Sequence, residues 1–259
     1  MNELIMQFYP LLLHFILLMS LGFYLILNLQ WYSYKIERVF LHHKKRSWHV
    51  MFLLIPIIAY YFSGDYVIIY LVFAYYPGLY FWYKKIDKKL VYTGRVKRYF
   101  TYLVLLTLLG EWYSYQSGAI LNLIVPIIGA FAFSHLTEAI LRHFYYQQAK
   151  NKLADNKNLK IVAITASFGK TSIKHFLHAL LKEDKNTYMS PGSVNTEVGL
   201  MADINQRLPK DCEIYIAEAG ARREEDILKI ARLLEHQYAI IGCVGKQHIE
   251  YFKTLENIK

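Results

Sequence analysis

Three short stretches carry side chains suited to phosphate chemistry. The first is Ser167-Phe-Gly-Lys-Thr-Ser172, which directly follows the apolar, β-branched run Lys160–Thr165. A strand, a small-residue turn with Gly169-Lys170-Thr171 and then a helical pattern form the layout of a phosphate-binding loop. In such a loop the backbone N–H groups of Ser167 to Ser172 and the helix N-terminus cradle phosphate oxygens. Lys170 supplies positive charge to the β/γ-phosphates, and Thr171 offers a hydroxyl to Mg²⁺. The second stretch is Glu218-Ala-Gly-Ala221, after the apolar run Glu213–Ala217. The third is Gly245-Lys-Gln-His248, after the run Tyr238–Val244. Glu218 is expected to hold Mg²⁺ directly or through water, and His248 to be a second metal ligand. The loop is an imperfect match, because Ile164 stands where the full Gly-x4-Gly-Lys-Thr pattern has its first glycine.

The elements that must position these groups alternate between strand and helix. Thr171 to Lys182 places Ile173, Phe176, Leu177, Leu180 and Leu181 on one face, and Glu224 to Glu235 places Ile227, Ile230, Ala231, Leu233 and Leu234 on one face. Strands alternating with helices predict a mostly parallel sheet under helical cover. Ligands of such sheets sit at the carboxyl ends of the strands, where the lysine, the carboxylate and the histidine all fall. Other readings are blander. His175 and His178 lie one turn apart with no third ligand, which argues against zinc. Arg222 to Asp226 reads as a solvated helix start, and Cys212 and Cys243 as buried, reduced thiols in a reducing compartment.

The rest of the chain is of another kind. It has 259 residues, 55% hydrophobic and 16% aromatic, with 23 Tyr and 15 Phe concentrated before about residue 146. About five spanning helices are predicted, at about 5–29, 50–62, 66–83, 99–115 and 119–140. Pro56 is a kink candidate in the second. Glu111 and Glu138 are expected near span edges, and His42-His43 in a solvated basic loop. Basic residues follow spans one, three and five, among them Lys84, Lys85, Lys88 and Lys89. The positive-inside rule then places the N-terminus outside and the phosphate-loop domain in the cytoplasm, in a multi-pass protein of the cytoplasmic membrane. The net charge of +10 is thus assigned to topology and not to nucleic acid. The polar stretch 147–159 reads as a linker to a partial α/β, P-loop-like domain at 160–259.

Residues 160–259 resemble the central ATP-dependent domain of the Mur ligases, which build the peptidoglycan stem peptide, and most of all the branch that adds D-alanyl-D-alanine. Thr165-Ala-Ser-Phe-Gly-Lys-Thr-Ser172, Gly192-Ser-Val-Asn-Thr-Glu-Val-Gly199, Glu218-Ala-Gly-Ala221 and His248-Ile-Glu-Tyr-Phe-Lys-Thr-Leu-Glu-Asn257 carry the resemblance. It implies ATP and Mg²⁺ as cofactors, Lys170 as a catalytic charge, and Asn195 and Thr196 toward the muropeptide. It implies a UDP-muramoyl tripeptide and D-Ala-D-Ala as substrates, with the lipid bilayer and envelope-synthesis proteins as further partners. Ala166 departs from the family's glycine, where a positive φ is expected. The family's uridine-binding N-terminal domain is replaced by the membrane half. Its carbamylated lysine, adenine-contacting strands and C-terminal domain lie beyond the point where this sequence stops, so an incomplete, inactive portion is expected. Two alternatives stand beside this reading: a non-catalytic membrane anchor or partner-binding protein with a vestigial nucleotide domain, and another Mur-like ligase such as a poly-γ-glutamate synthetase relative.

Overall fold

A computed structural model describes residues 2–41, 47–245, 249–254 and 256–258. The chain divides into two compact units, Met1–Glu138 and Ala139–Lys259.

The first unit is helical. Each of the expected spans is a helix, but among the described residues three are long and apolar enough to cross a membrane: Phe8–Trp31, Gly64–Lys85 and Ile124–Asp155. Ser47–Phe62 is apolar but shorter. Gly94–Ser117 is long enough, yet Arg95, Lys97, Arg98 and Glu111 and its tyrosines lower its hydropathy. Two helices change pitch before a proline. Val50–Leu54 is π-helical ahead of Pro56, and Leu71–Tyr75 is π-helical ahead of Pro77. Proline has no N–H to donate and its ring crowds the preceding turn, and the wider π turn accommodates both. Small residues let helices approach. A Cβ on Gly22 would meet the Leu103 side chain at 2.3 Å, and one on Gly129 would meet Leu106 at 2.8 Å.

Glu111 is not at an edge. It is buried beside His14, with Nδ1 2.9 Å from Oε1, while His14 Nε2 faces the Asn122 carbonyl oxygen at 3.4 Å. Each polar group thus answers another in an apolar surrounding, where an unpaired one would cost several kcal/mol. Glu138 is half-exposed and accepts from Arg98 Nη2 at 2.5 Å. His42 and His43 lie outside the described residues.

The second unit is a four-stranded parallel sheet in the order β2-β3-β1-β4. Its strands are β1 (Lys160–Thr165), β2 (Thr187–Met189), β3 (Ile214–Glu218) and β4 (Tyr238–Ile241). Alternate residues serve opposite faces. Val162, Ile164 and Ile216 pack on one side against Ile173, Leu177 and Leu181 of the helix Lys170–Leu181. Ile161, Ala163, Tyr215 and Ala217 pack on the other side, against the helices Glu197–Arg207 and Asp226–Leu234. Phe176 and Leu180, expected on the packed face of the first of these helices, are exposed. They sit one step around the helix from the Ile173–Leu177–Leu181 stripe, which is all that the sheet covers.

Stretch 147–159 is not a linker. The helix Ile124–Asp155 continues through most of it, and Ala149 and Leu153 are buried in the core of the second unit. Its polar residues are the wet side of an amphipathic turn, so a shift in composition marks a face and not a boundary. Lys152 Nζ donates to the Ile204 and Asn205 carbonyls, near the C-terminal end of the helix Glu197–Arg207. That helix is also held by Asp203, which accepts from the Tyr188 hydroxyl at 2.7 Å and the Tyr215 hydroxyl at 3.1 Å. Burial and the neighbouring Asp203 hold both phenols well above their ordinary pKa.

Candidate nucleotide and metal site

The parallel register brings the end of β1 beside the end of β3, with Ile164 opposite Glu218. The loop that follows β1 turns at Gly169, whose φ of +79° is left-handed and open to glycine without strain. The helix Lys170–Leu181 starts at the next residue, so the N–H groups of its first turn face the loop. Lys170 Nζ donates to the Ala166 carbonyl at 2.5 Å and to the Ser167 carbonyl at 3.4 Å. Burial pulls the Lys170 ammonium below its ordinary pKa, and the charge of Glu218 opposes that.

Two loop residues differ from expectation. Ser167, expected among the phosphate-binding residues, staples the loop to a distant segment. Its N–H donates to the Cys243 carbonyl, its hydroxyl donates to the Gly245 carbonyl at 3.0 Å, and the same oxygen accepts from Gly245 N–H at 2.8 Å. These bonds tie the loop to the segment after β4 and use up both donors. Ala166 takes no positive φ. Its methyl group is instead accommodated by Gly242, where a Cβ would approach it to 2.9 Å.

Glu218 is the hub. It is buried at the tip of β3, where its backbone N–H donates to the Ser190 hydroxyl. Oε2 accepts from the Thr171 hydroxyl at 2.9 Å and from Lys174 Nζ at 3.3 Å, and Oε1 accepts from Asn195 Nδ2 at 3.1 Å. Gly220 is required by the same arrangement, since a Cβ there would meet the Asn195 amide at 2.8 Å. Gly220 N–H donates to the Asn195 carbonyl, closing a small cycle. Thr196 is the N-cap of the helix Glu197–Arg207, its hydroxyl accepting from Gly199 N–H. The hydroxyl expected toward a muropeptide thus also accepts the cap bond of this helix. Phe168 is exposed, and His248 lies outside the described residues.

Sequence reasoning missed Lys174. Its signal is spacing: four residues after Lys170 and three after Thr171, it shares their helix face. Thr171 and Glu218 present a hydroxyl and a carboxylate oxygen side by side, the hard donors Mg²⁺ prefers. Among the described residues no group of three His, Cys, Asp or Glu gathers to hold a metal. The donor set fits an ion that keeps most of its ligands as phosphate and water, the usual habit of Mg²⁺.

A parallel sheet with a phosphate loop at one strand tip and a buried carboxylate at the next defines a class, and the comparisons agree with it: residues 164–259 match the Mur ligase middle domain. Over these residues the chain resembles the Mur ligases, and the relatives it matches are MurF enzymes. It is 34% identical over 104 residues to the UDP-N-acetylmuramoyl-tripeptide–D-alanyl-D-alanine ligase of Rickettsia prowazekii, covering 40% of this chain and 23% of that one. It is 28% identical over 99 residues to the Escherichia coli enzyme of the same name, covering 38% and 22%. The chain thus spans under a quarter of the length of these relatives. Among solved structures, the MurF ligase of Thermotoga maritima in complex with ADP is similar at 33% identity and a TM-score of 0.43, covering 45% of this chain and 27% of that one.

Proposed function

We propose that the second unit binds the phosphates of ATP for a ligase that joins D-Ala-D-Ala to a UDP-muramoyl tripeptide. The observation that carries this is the meeting of Thr171 and Glu218 at 2.9 Å beside a left-handed Gly169 turn. In the reaction, an oxygen of the tripeptide carboxylate attacks the γ-phosphorus and ADP leaves. The amine nitrogen of D-Ala-D-Ala then attacks the acyl phosphate carbon, loses a proton, and phosphate departs through a tetrahedral intermediate. Lys170 would hold positive charge against the transferring phosphoryl oxygens, where such charge matters most. Thr171 and Glu218 would hold a magnesium ion that arrives with the nucleotide and supplies further positive charge. The names of the relatives supply the substrates in this reading.

The test is titration of Mg·ATP into the full chain in detergent. Lys170→Ala should weaken affinity by about tenfold or more, the equivalent of about 1.4 kcal/mol. Unchanged affinity would sink the phosphate-loop reading.

We further propose that the first unit lies in the cytoplasmic membrane as a multi-pass domain, with the N-terminus outside and the second unit in the cytoplasm. Three long apolar helices and the basic stretch holding Lys84, Lys85, Lys88 and Lys89 support it.

A further inference from the structure

Lys174 has a job that phosphate binding does not explain. It lies on the helix that follows the phosphate loop, yet its side chain is 0% exposed. Burying an ammonium costs several kcal/mol unless charge and hydrogen bonds answer it. Two acceptors answer it here, Glu218 Oε2 at 3.3 Å and the Gly192 carbonyl. Gly192 is itself left-handed, with φ +50°. Its carbonyl belongs to the turn that leads to Asn195, and Asn195 holds the other oxygen of the same carboxylate. One cation therefore joins three elements: the phosphate-loop helix, the tip of β3 and the Gly192–Asn195 turn.

We propose that Lys174 is a positioning residue. It fixes the rotation of the Glu218 carboxylate toward Thr171 and locks that carboxylate to the Asn195 turn. This rests on the nucleotide reading above. The charge balance carries a consequence. Glu218 and Lys174 together are neutral, so the carboxylate does not gather a bare divalent cation. The metal enters with the phosphates that complete its shell, and Lys174 sets how much it adds to nucleotide affinity.

The experiment measures the affinity of the full chain for a fluorescent ADP analogue with excess Mg²⁺ and with EDTA. The ratio of the two is the metal's contribution, and a merely structural role would leave that ratio unchanged. Wild type should show a gain of about tenfold. Lys174→Met should lose most of the gain while affinity in EDTA stays within about threefold. Glu218→Gln should lose the gain as well, and the double variant should match Glu218→Gln alone, because Lys174 acts through that carboxylate. Where Lys174→Met does not fold, Lys174→Gln keeps two N–H donors without the charge, and it too should reduce the gain. Wild-type gain with an undiminished ratio in the Lys174 variants overturns this inference and leaves the nucleotide reading standing. No binding by wild type overturns both.

Discussion

Ala166 and Gly242 exchange a methyl group's worth of space across the sheet, and that is a testable relation. Gly242→Ala would put two Cβ atoms 2.9 Å apart. Overpacking of this kind costs about 1–3 kcal/mol, and Ala166→Gly in the same chain should restore most of it. Chemical denaturation followed by Trp-independent far-UV circular dichroism would read both; a Gly242→Ala chain as stable as wild type refutes the pairing. At this scale the sequence foretold positions better than partners. Lys170, Thr171 and Glu218 were legible because each lies just past a β-branched run, and strand tips are where such sheets hold ligands. The Lys174 and Asn195 contacts to Glu218 were not, because they depend on how two turns fold back across the sheet, which neither spacing nor composition encodes. The Ser167 staple was hidden for a related reason: its neighbours Cys243 and Gly245 are distant in sequence.

Elements were legible in proportion to their length and periodicity. β1 and β3 were found as apolar β-rich runs, and β4 proved shorter than its run. β2 has three residues and no alternation to detect. It is placed by a clasp instead. Glu213 Oε2 accepts from Asn186 N–H and Oε1 from Lys185 Nζ, both at 3.0 Å, just before Thr187 pairs with Ile214. The Asn186 N–H, helped by Lys185, holds the Glu213 carboxyl below its ordinary pKa. A depressed carboxylate stabilises the fold above its unfolded pKa, and that stabilisation is lost as pH falls through the folded value. Glu213→Gln should therefore speed hydrogen exchange at Thr187–Met189 near neutral pH, with the difference from wild type shrinking below about pH 4. An equal difference at both pH values would reject the clasp as an ionised contact. The polar end of Ile124–Asp155 was the element misjudged most, since hydrophilic residues on a half-buried helix imitate a linker.

For the whole molecule, the proposed topology has a built-in reporter. Cys243 is exposed and Cys212 is buried, its thiol pushed up by that burial. A membrane-impermeant maleimide should label Cys243 in permeabilised cells and not in intact ones; labelling of intact cells would reverse the orientation. Among the described residues the five expected spans become three helices of sufficient length and apolarity, because Ser47–Phe62 is too short and charged and tyrosine residues lower the hydropathy of Gly94–Ser117. The division at Glu138 and Ala139 bears on how the second unit could be handled apart from the first. Trimming to the family match at residue 164, or to the first strand, would discard Ala149 and Leu153, which are buried in one core cluster with Ile161, Ala163 and Tyr215. The apolar surface so uncovered would favour self-association, so a fragment of the second unit should begin near Ala139, well upstream of where the match to the Mur ligase middle domain begins.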